Sequence, residues 1–197
     1  MANLLKVIFL GLVGFALLVF FTAEKPKQIV ANENVVNIVK YDSLPSVFEI
    51  VGKEDKVKKE DLIKKGEKTL VVVGNHDSLS VVKELPNYFE LKTPYIMVAN
   101  ISAAPWFVKK MFIPGKLEEL NEGSNVPMIY DFEGDMVNTL NVVDNSKTKF
   151  VAFVVSKEGA ISKLYEGQVK EGALDGSMTE EEKKKALQPL FNSLNNI

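Results

Sequence analysis

The sequence predicts an α/β domain built on a mainly parallel sheet with helices on both faces, preceded by an apolar N-terminal segment. Three observations predict it. Strand-like and helix-like stretches alternate along the chain, which calls for parallel strands joined by helical crossovers. Thr69–Gly74 and Pro94–Ile101 are continuous apolar runs, the pattern of strands buried on both faces. Near the C-terminus, Lys149–Ser156 and Ile161–Tyr165 flank Lys157-Glu158-Gly159, a hairpin signature that adds antiparallel strands.

In order along the chain, Met1–Lys6 is a short charged start and Val7–Phe21 carries no charge. This segment reads as a signal peptide or a membrane anchor over residues 1–23. A cut after Ala23 would place Phe21 where a small residue is wanted, which favours the uncleaved anchor. Residues 24–34 are polar and contain Pro26, a tether, and the globular domain runs over residues 35–197. Val35–Val39 is a candidate edge strand. Leu44–Val51 is an extended run opened by Pro45. Lys53–Lys68 reads as a solvated face with a short helical turn at Lys59–Lys65 stopped by Gly66. After the central strand Thr69–Gly74, a helix covers about Ser78–Tyr88, capped by Asp77 or Ser78 and kinked or ended by Pro86. Ala104–Phe112 is a short amphipathic helix, followed by a loop at Ile113-Pro114-Gly115. Pro127–Asp131 is a third parallel strand and Gly134–Val142 a short helix. Thr179-Glu180-Glu181-Glu182 is a capping box for an amphipathic helix to about Leu194.

Composition excludes several chemistries. The chain has 197 residues, a net charge of -2, one histidine and no cysteine; all 24 cations are lysine. There is no disulfide, thiolate nucleophile or Cys-based zinc site, and one imidazole cannot make a multi-His metal cluster. Without arginine or net positive charge, nucleic acid is not an expected partner. No cofactor is implied. The expected partners are a membrane, through the N-terminal helix, and an envelope protein; the expected location is the periplasm, anchored to the inner membrane or secreted.

Several segments, taken in sequence, resemble the redoxin branch of the thioredoxin-like superfamily, shared by peroxiredoxins and membrane-tethered thiol reductases (AhpC-TSA/TlpA-like). Leu44-Pro45-Ser46-Val47-Phe48-Glu49-Ile50 matches the opening Pro-x-Phe-x-Leu strand, and Lys59–Leu70 the approach to the central strand Val71-Val72-Val73. Pro127–Asp131 with Gly134 matches Pro-x-x-x-Asp-x-x-Gly, and Phe150–Gly159 with Ile161 the late hairpin. The resemblance covers about residues 40–195 and implies a three-layer α/β/α sandwich with a mixed central sheet. It also implies a Cys-x-x-Cys at the head of the first helix, commonly followed by Glu-Leu-Pro. Glu84-Leu85-Pro86 is present, and counting back from it places Ser78 and Val81 at the two thiol positions. The family's cis-proline position falls at Phe150 or Val151. A serine hydroxyl cannot cycle through sulfenic acid or disulfide, so no thiol oxidoreductase activity is expected. In this the chain resembles the cysteine-free, exported YtfJ-type proteins.

The expected role is a non-catalytic binding or assembly module, with His76, Asp77, Ser78, Val81, Phe150 and Val151 at the vacated site. The alternative is a non-thiol enzyme or small-anion-binding protein using His76-Asp77-Ser78, at the strand-to-helix turn where α/β sheets bind ligands. Plain helix capping by Asp77 or Ser78 competes with both. Asp131, Glu133 and Asp135 read as acids at a helix N-terminus rather than a calcium loop. Trp106 and Phe107, with Met111 and Phe112, are either core or an exposed partner patch.

Overall fold

The computed structural model describes residues 2–22 and 39–197; the tether and Val35–Ile38 of the candidate edge strand lie outside them. Helix α1 covers Ala2–Thr22. No helix among the described residues is long and apolar enough to cross a membrane, and in α1 the side chains described are those of residues 6–15 and 17. The N-terminal segment is therefore a helix, but the expected transmembrane span is not shown.

The domain contains, among the described residues, eight strands in one mixed sheet. They are β1 (Val39–Lys40), β2 (Val47–Ile50), β3 (Val57–Lys58), β4 (Thr69–Gly74), β5 (Tyr95–Asn100), β6 (Met128–Asp131), β7 (Lys149–Val155) and β8 (Ala160–Gln168), in the order β1-β8-β7-β4-β5-β6-β2-β3. β4, β5 and β6 are parallel neighbours, with Leu70 opposite Tyr95 and Met97 opposite Met128. β7 runs antiparallel to both β4 and β8. Gly159 takes a positive φ of 81° in the β7–β8 turn, where a side chain would be strained.

The helices are α2 (Lys59–Leu62), α3 (His76–Val82), α4 (Leu85–Tyr88), α5 (Trp106–Met111), α6 (Ile113–Asn121), α7 (Asp135–Thr139) and α8 (Glu180–Asn195). β4 shows why there are three layers. Its alternate residues point to opposite faces, and all six are buried. Leu70 and Val72 join a core with Leu79 of α3, Leu85 of α4, Leu117 of α6 and Leu187 and Leu190 of α8. Val71 and Val73 join a second core with Ile63, Met136 and Val137 of α7, and Tyr41. Each face is thus closed by its own set of helices. The reciprocal capping box at the start of α8 is present, with Glu182 N–H donating to Thr179 Oγ1 (3.2 Å) and Thr179 N–H to Glu182 (2.8 Å).

Two boundaries and one buried side chain differ from the sequence reading. The long helix after β4 is two, because the chain breaks at Lys83–Glu84 and Pro86 starts the second rather than ending the first. Ile113-Pro114-Gly115 is not a loop but the first turn of α6, where a proline lacking its N–H is tolerated. In the lysine-rich stretch read as a solvated face, Lys59 is buried: its Nζ donates to Tyr41 O (3.0 Å) and Leu44 O (3.1 Å) and lies 4.4 Å from the Tyr41 ring centroid.

Candidate functional site

The parallel order of β4 and β5 sends both carboxyl ends to one edge of the sheet, and α3 starts there. Asn75 is its N-cap and Ser78 its third helical residue. The two close on each other. Asn75 N–H donates to Ser78 Oγ (2.9 Å), Ser78 Oγ–H donates to Asn75 O (2.8 Å), and His76 N–H donates to Asn75 Oδ1 (2.9 Å). Ser78 N–H donates to Lys147 O (3.0 Å), in the loop entering β7, and Asn75 Nδ2 donates to Asn145 Oδ1 (2.9 Å) in the same loop. The amides that a helix start could turn toward an anion are therefore largely engaged by the protein. Gly74 fits this packing: a Cβ there would stand 2.6 Å from Ser78 Oγ.

Asp77 is buried and faces away from His76 chemistry. Its Oδ2 accepts from Gly172 N–H (3.0 Å) and its Oδ1 from Leu174 N–H (3.1 Å), bracing α3 against the segment between β8 and α8. His76 is exposed. Partial burial and the nearby Lys147 hold its pKa below the ordinary imidazole value, with Asp77 opposing. Of the residues assigned to the vacated site, Ser78, Val81 and Phe150 are at 0–1 % exposure and Val151 is buried. Val81 and Phe150 belong to one core and Val151 to the other. Only His76 of that set is presented to solvent. Ser78, the first of the two positions that the resemblance aligns with thiols, is the third residue of α3, and Val81 lies one turn further on. Phe150 and Val151 lie inside β7, and the loop that enters it, residues 144–148, has no proline.

What the site does have is a cleft of about 510 Å³ along the open flank of α3. Residues of α6, the Ala173–Gly176 segment, Asn75 and His76 line it as well. The floor is apolar, from Leu79, Ile101, Ile113, Leu117 and Leu120. Lys83, Lys116, Lys183, Glu84, Glu119 and Asp175 edge it with three charges of each sign. Lys83 Nζ ties the walls together by donating to Leu120 O (2.7 Å). The sequence reading missed this cleft because it missed α6. The signal was present: Ile113, Leu117 and Leu120 recur at helical spacing, masked by the Pro-Gly pair in the first turn.

The acidic cluster is a cap. Asp131 Oδ1 and Oδ2 accept from Met136 N–H (3.1 Å) and Val137 N–H (2.9 Å) at the start of α7. Burial pushes the Asp131 carboxyl up, and those two amides oppose it. Among the described residues no group of three or more His, Asp or Glu is placed to hold a metal ion. In the aromatic pair, Phe107 is buried and Trp106 is 54 % exposed, with Met111 and Phe112 also exposed.

No family model matches the chain, and no curated protein matches it. Solved structures do. A conserved protein of uncharacterized function from Geobacillus kaustophilus shares 13% identity, over 74% of this chain and 76% of that chain, with a TM-score of 0.44. A thioredoxin-like protein from Porphyromonas gingivalis shares 16% identity, over 76% and 94%, with a TM-score of 0.42. A secreted disulfide oxidoreductase from Mycobacterium tuberculosis shares 13% identity, over 75% and 98%, with a TM-score of 0.39. At these scores the overlaps carry no argument about function, and the fold is read from the sheet itself. A central parallel β-α-β unit, an antiparallel β7–β8 hairpin on its β4 side and a closing helix give the arrangement that the sequence resemblance implies. The chain is cysteine-free, and its described domain is an α/β fold with helices on both faces of a mixed central sheet, as the sequence resemblance implies.

Proposed function

We propose that this chain is a non-catalytic binding module of the cell envelope, tethered by its N-terminal helix or exported, which holds a protein partner in the α3–α6 cleft. The supporting observation is the head of α3. At Ser78, the first of the two positions that the resemblance aligns with thiols, the hydroxyl is enclosed and hydrogen-bonded to the Asn75 backbone. An open cleft with an apolar floor remains beside it, and concave apolar sites with a few polar edges are where ligands bind. The rival reading, a His76-Asp77-Ser78 enzyme, needs three converging side chains. Asp77 instead binds the Gly172 and Leu174 amides, and Ser78 is enclosed.

A photocrosslinking residue replacing His76, in the native envelope, tests the proposal. The expected result is one specific adduct that disappears when Leu117→Lys fills the cleft floor with charge, and that is absent when the crosslinker replaces Glu158. Adducts that ignore the cleft substitution would sink the binding reading. Disulfide-reductase or peroxidase turnover by the purified chain would overturn the non-catalytic part.

A further inference from the structure

We infer that the corner where α5 meets α6 is a membrane-docking surface that sits at the boundary between lipid headgroups and acyl chains. This rests on the proposal that α1 tethers the chain to a membrane. Trp106, Met111 and Phe112 are 54 %, 72 % and 56 % exposed, and Lys110 beside them is exposed as well. Three large apolar side chains exposed within one stretch of seven residues, 106–112, are uncommon on a water-facing surface and mark an interaction site. Tryptophan next to lysine is the composition of interfacial helices, where the indole sits at headgroup level and the lysine stem reaches back toward water and anionic lipid.

The contact with α1 favours lipid over another occupant. The Phe15 ring packs edge-on against Phe107, with centroids 6.0 Å apart, and Phe107 in turn meets Trp106 at 6.4 Å. The apolar corner is therefore continuous with a helix whose described apolar side chains are themselves exposed. A protein seated on the corner would leave that helix uncovered, whereas a bilayer covers both. The depths agree. Phe15 lies seven residues before the end of α1 at Thr22, roughly 10 Å at about 1.5 Å rise per residue. Interfacial helices bury their apolar face by about 5–10 Å. With α1 inserted, α5 lies at the acyl boundary and the α3–α6 cleft, which shares α6 with the corner, is held close to the membrane surface.

Trp106 is the only tryptophan, so indole emission reports this corner alone. The full chain is reconstituted into vesicles of phosphatidylcholine and phosphatidylglycerol carrying bromine near the headgroup end of the acyl chains. The expected result is blue-shifted emission quenched by the bromolipid. In Met111→Asp/Phe112→Asp both effects are lost while the chain still floats with the vesicles through α1. Water-like emission from a chain that floats with the vesicles overturns the docking surface and leaves the tether standing. Blue-shifted emission without quenching also overturns it, because a second copy or another segment then covers the indole. A chain that does not float overturns the tether and this inference with it. Wild-type quenching decides the matter even if the double variant fails to fold.

Discussion

The head of α3 and the α5–α6 corner are opposite cases of the same accounting. At the head of α3, groups that look reactive in the sequence, an Asp, a Ser and an Asn, have their partners inside the chain. At the corner, groups that the sequence leaves as either core or a partner patch, a Trp, a Met and a Phe, are exposed among the described residues. A polar residue whose hydrogen bonds are all made internally is architecture. An apolar residue left in water is unfinished architecture, and its completion comes from outside. Substitutions should therefore act on stability at the first region and on association at the second.

The largest expected effect is at Asp77. Asp77→Ala leaves the Gly172 and Leu174 amides without their carboxylate and should cost about 3 kcal/mol, since a bond to a charged group contributes about 1.5–3 kcal/mol; the urea midpoint measures it. An unchanged midpoint would break the claim that this carboxylate is a brace. Next is Gly74→Ala, whose Cβ meets Ser78 Oγ at 2.6 Å and Leu79 Cδ2 at 3.3 Å. Overpacking of this kind costs about 1–3 kcal/mol. Ser78→Ala alone should cost about 1 kcal/mol as a lost cap. Because it also removes the clash, the double variant should be more stable than the two single losses added together. Additive losses would mean that the glycine is needed for another reason.

His76 gives a smaller, pH-dependent effect. Its folded pKa lies below the ordinary value of 6.5, so at intermediate pH the unfolded chain binds the proton more readily. The sign follows: this contribution to stability is complete above about pH 6.5 and is lost as pH falls through the lowered folded value. His76→Gln should flatten the stability profile in that window, read from thermal midpoints across a pH series. The smallest effect on folding is at the corner. Trp106→Phe and Phe112→Ser should change stability by no more than about 0.5 kcal/mol, as exposed substitutions do, and in Phe112→Ser bromolipid quenching of Trp106 should weaken. A large loss of stability at either would show that the corner is core after all.

Much of the fold was legible in the sequence because its signals are local. Thr69–Gly74 is apolar and β-branched without interruption, and it is the central strand. Thr179 and Glu182 sit three apart, and they cap α8. Asp131 and its neighbours stand at the start of α7, as acids at a helix N-terminus do. What was not legible depends on contacts between distant segments. β3 is two residues long and exists only by pairing with β2. Nothing near Ser78 in sequence shows that Lys147 supplies its acceptor, or near Asp77 that residues 172 and 174 supply its donors. The burial of Lys59 under Tyr41 is likewise invisible in a stretch that alternates lysine with acid. The candidate site fared worse than the fold for this reason. Its cleft is made by α3 and α6, and α6 was hidden by a Pro-Gly pair that usually marks a turn but here opens a helix.

The closed pair Asn75–Ser78 also bears on how the chain can change. Building a Cys-x-x-Cys dithiol at this helix start would require cysteine at both positions. Cysteine at 75 alone removes the cap, and cysteine at 78 alone replaces a good acceptor for the Asn75 amide with a weak one. Either single step lowers stability, by about 1 kcal/mol for a lost cap, and neither alone gives a dithiol. Either order of substitution therefore has to cross a handicapped intermediate before any redox benefit can be selected. A scaffold that has settled into this arrangement is held there by its own helix cap, whatever its ancestor did.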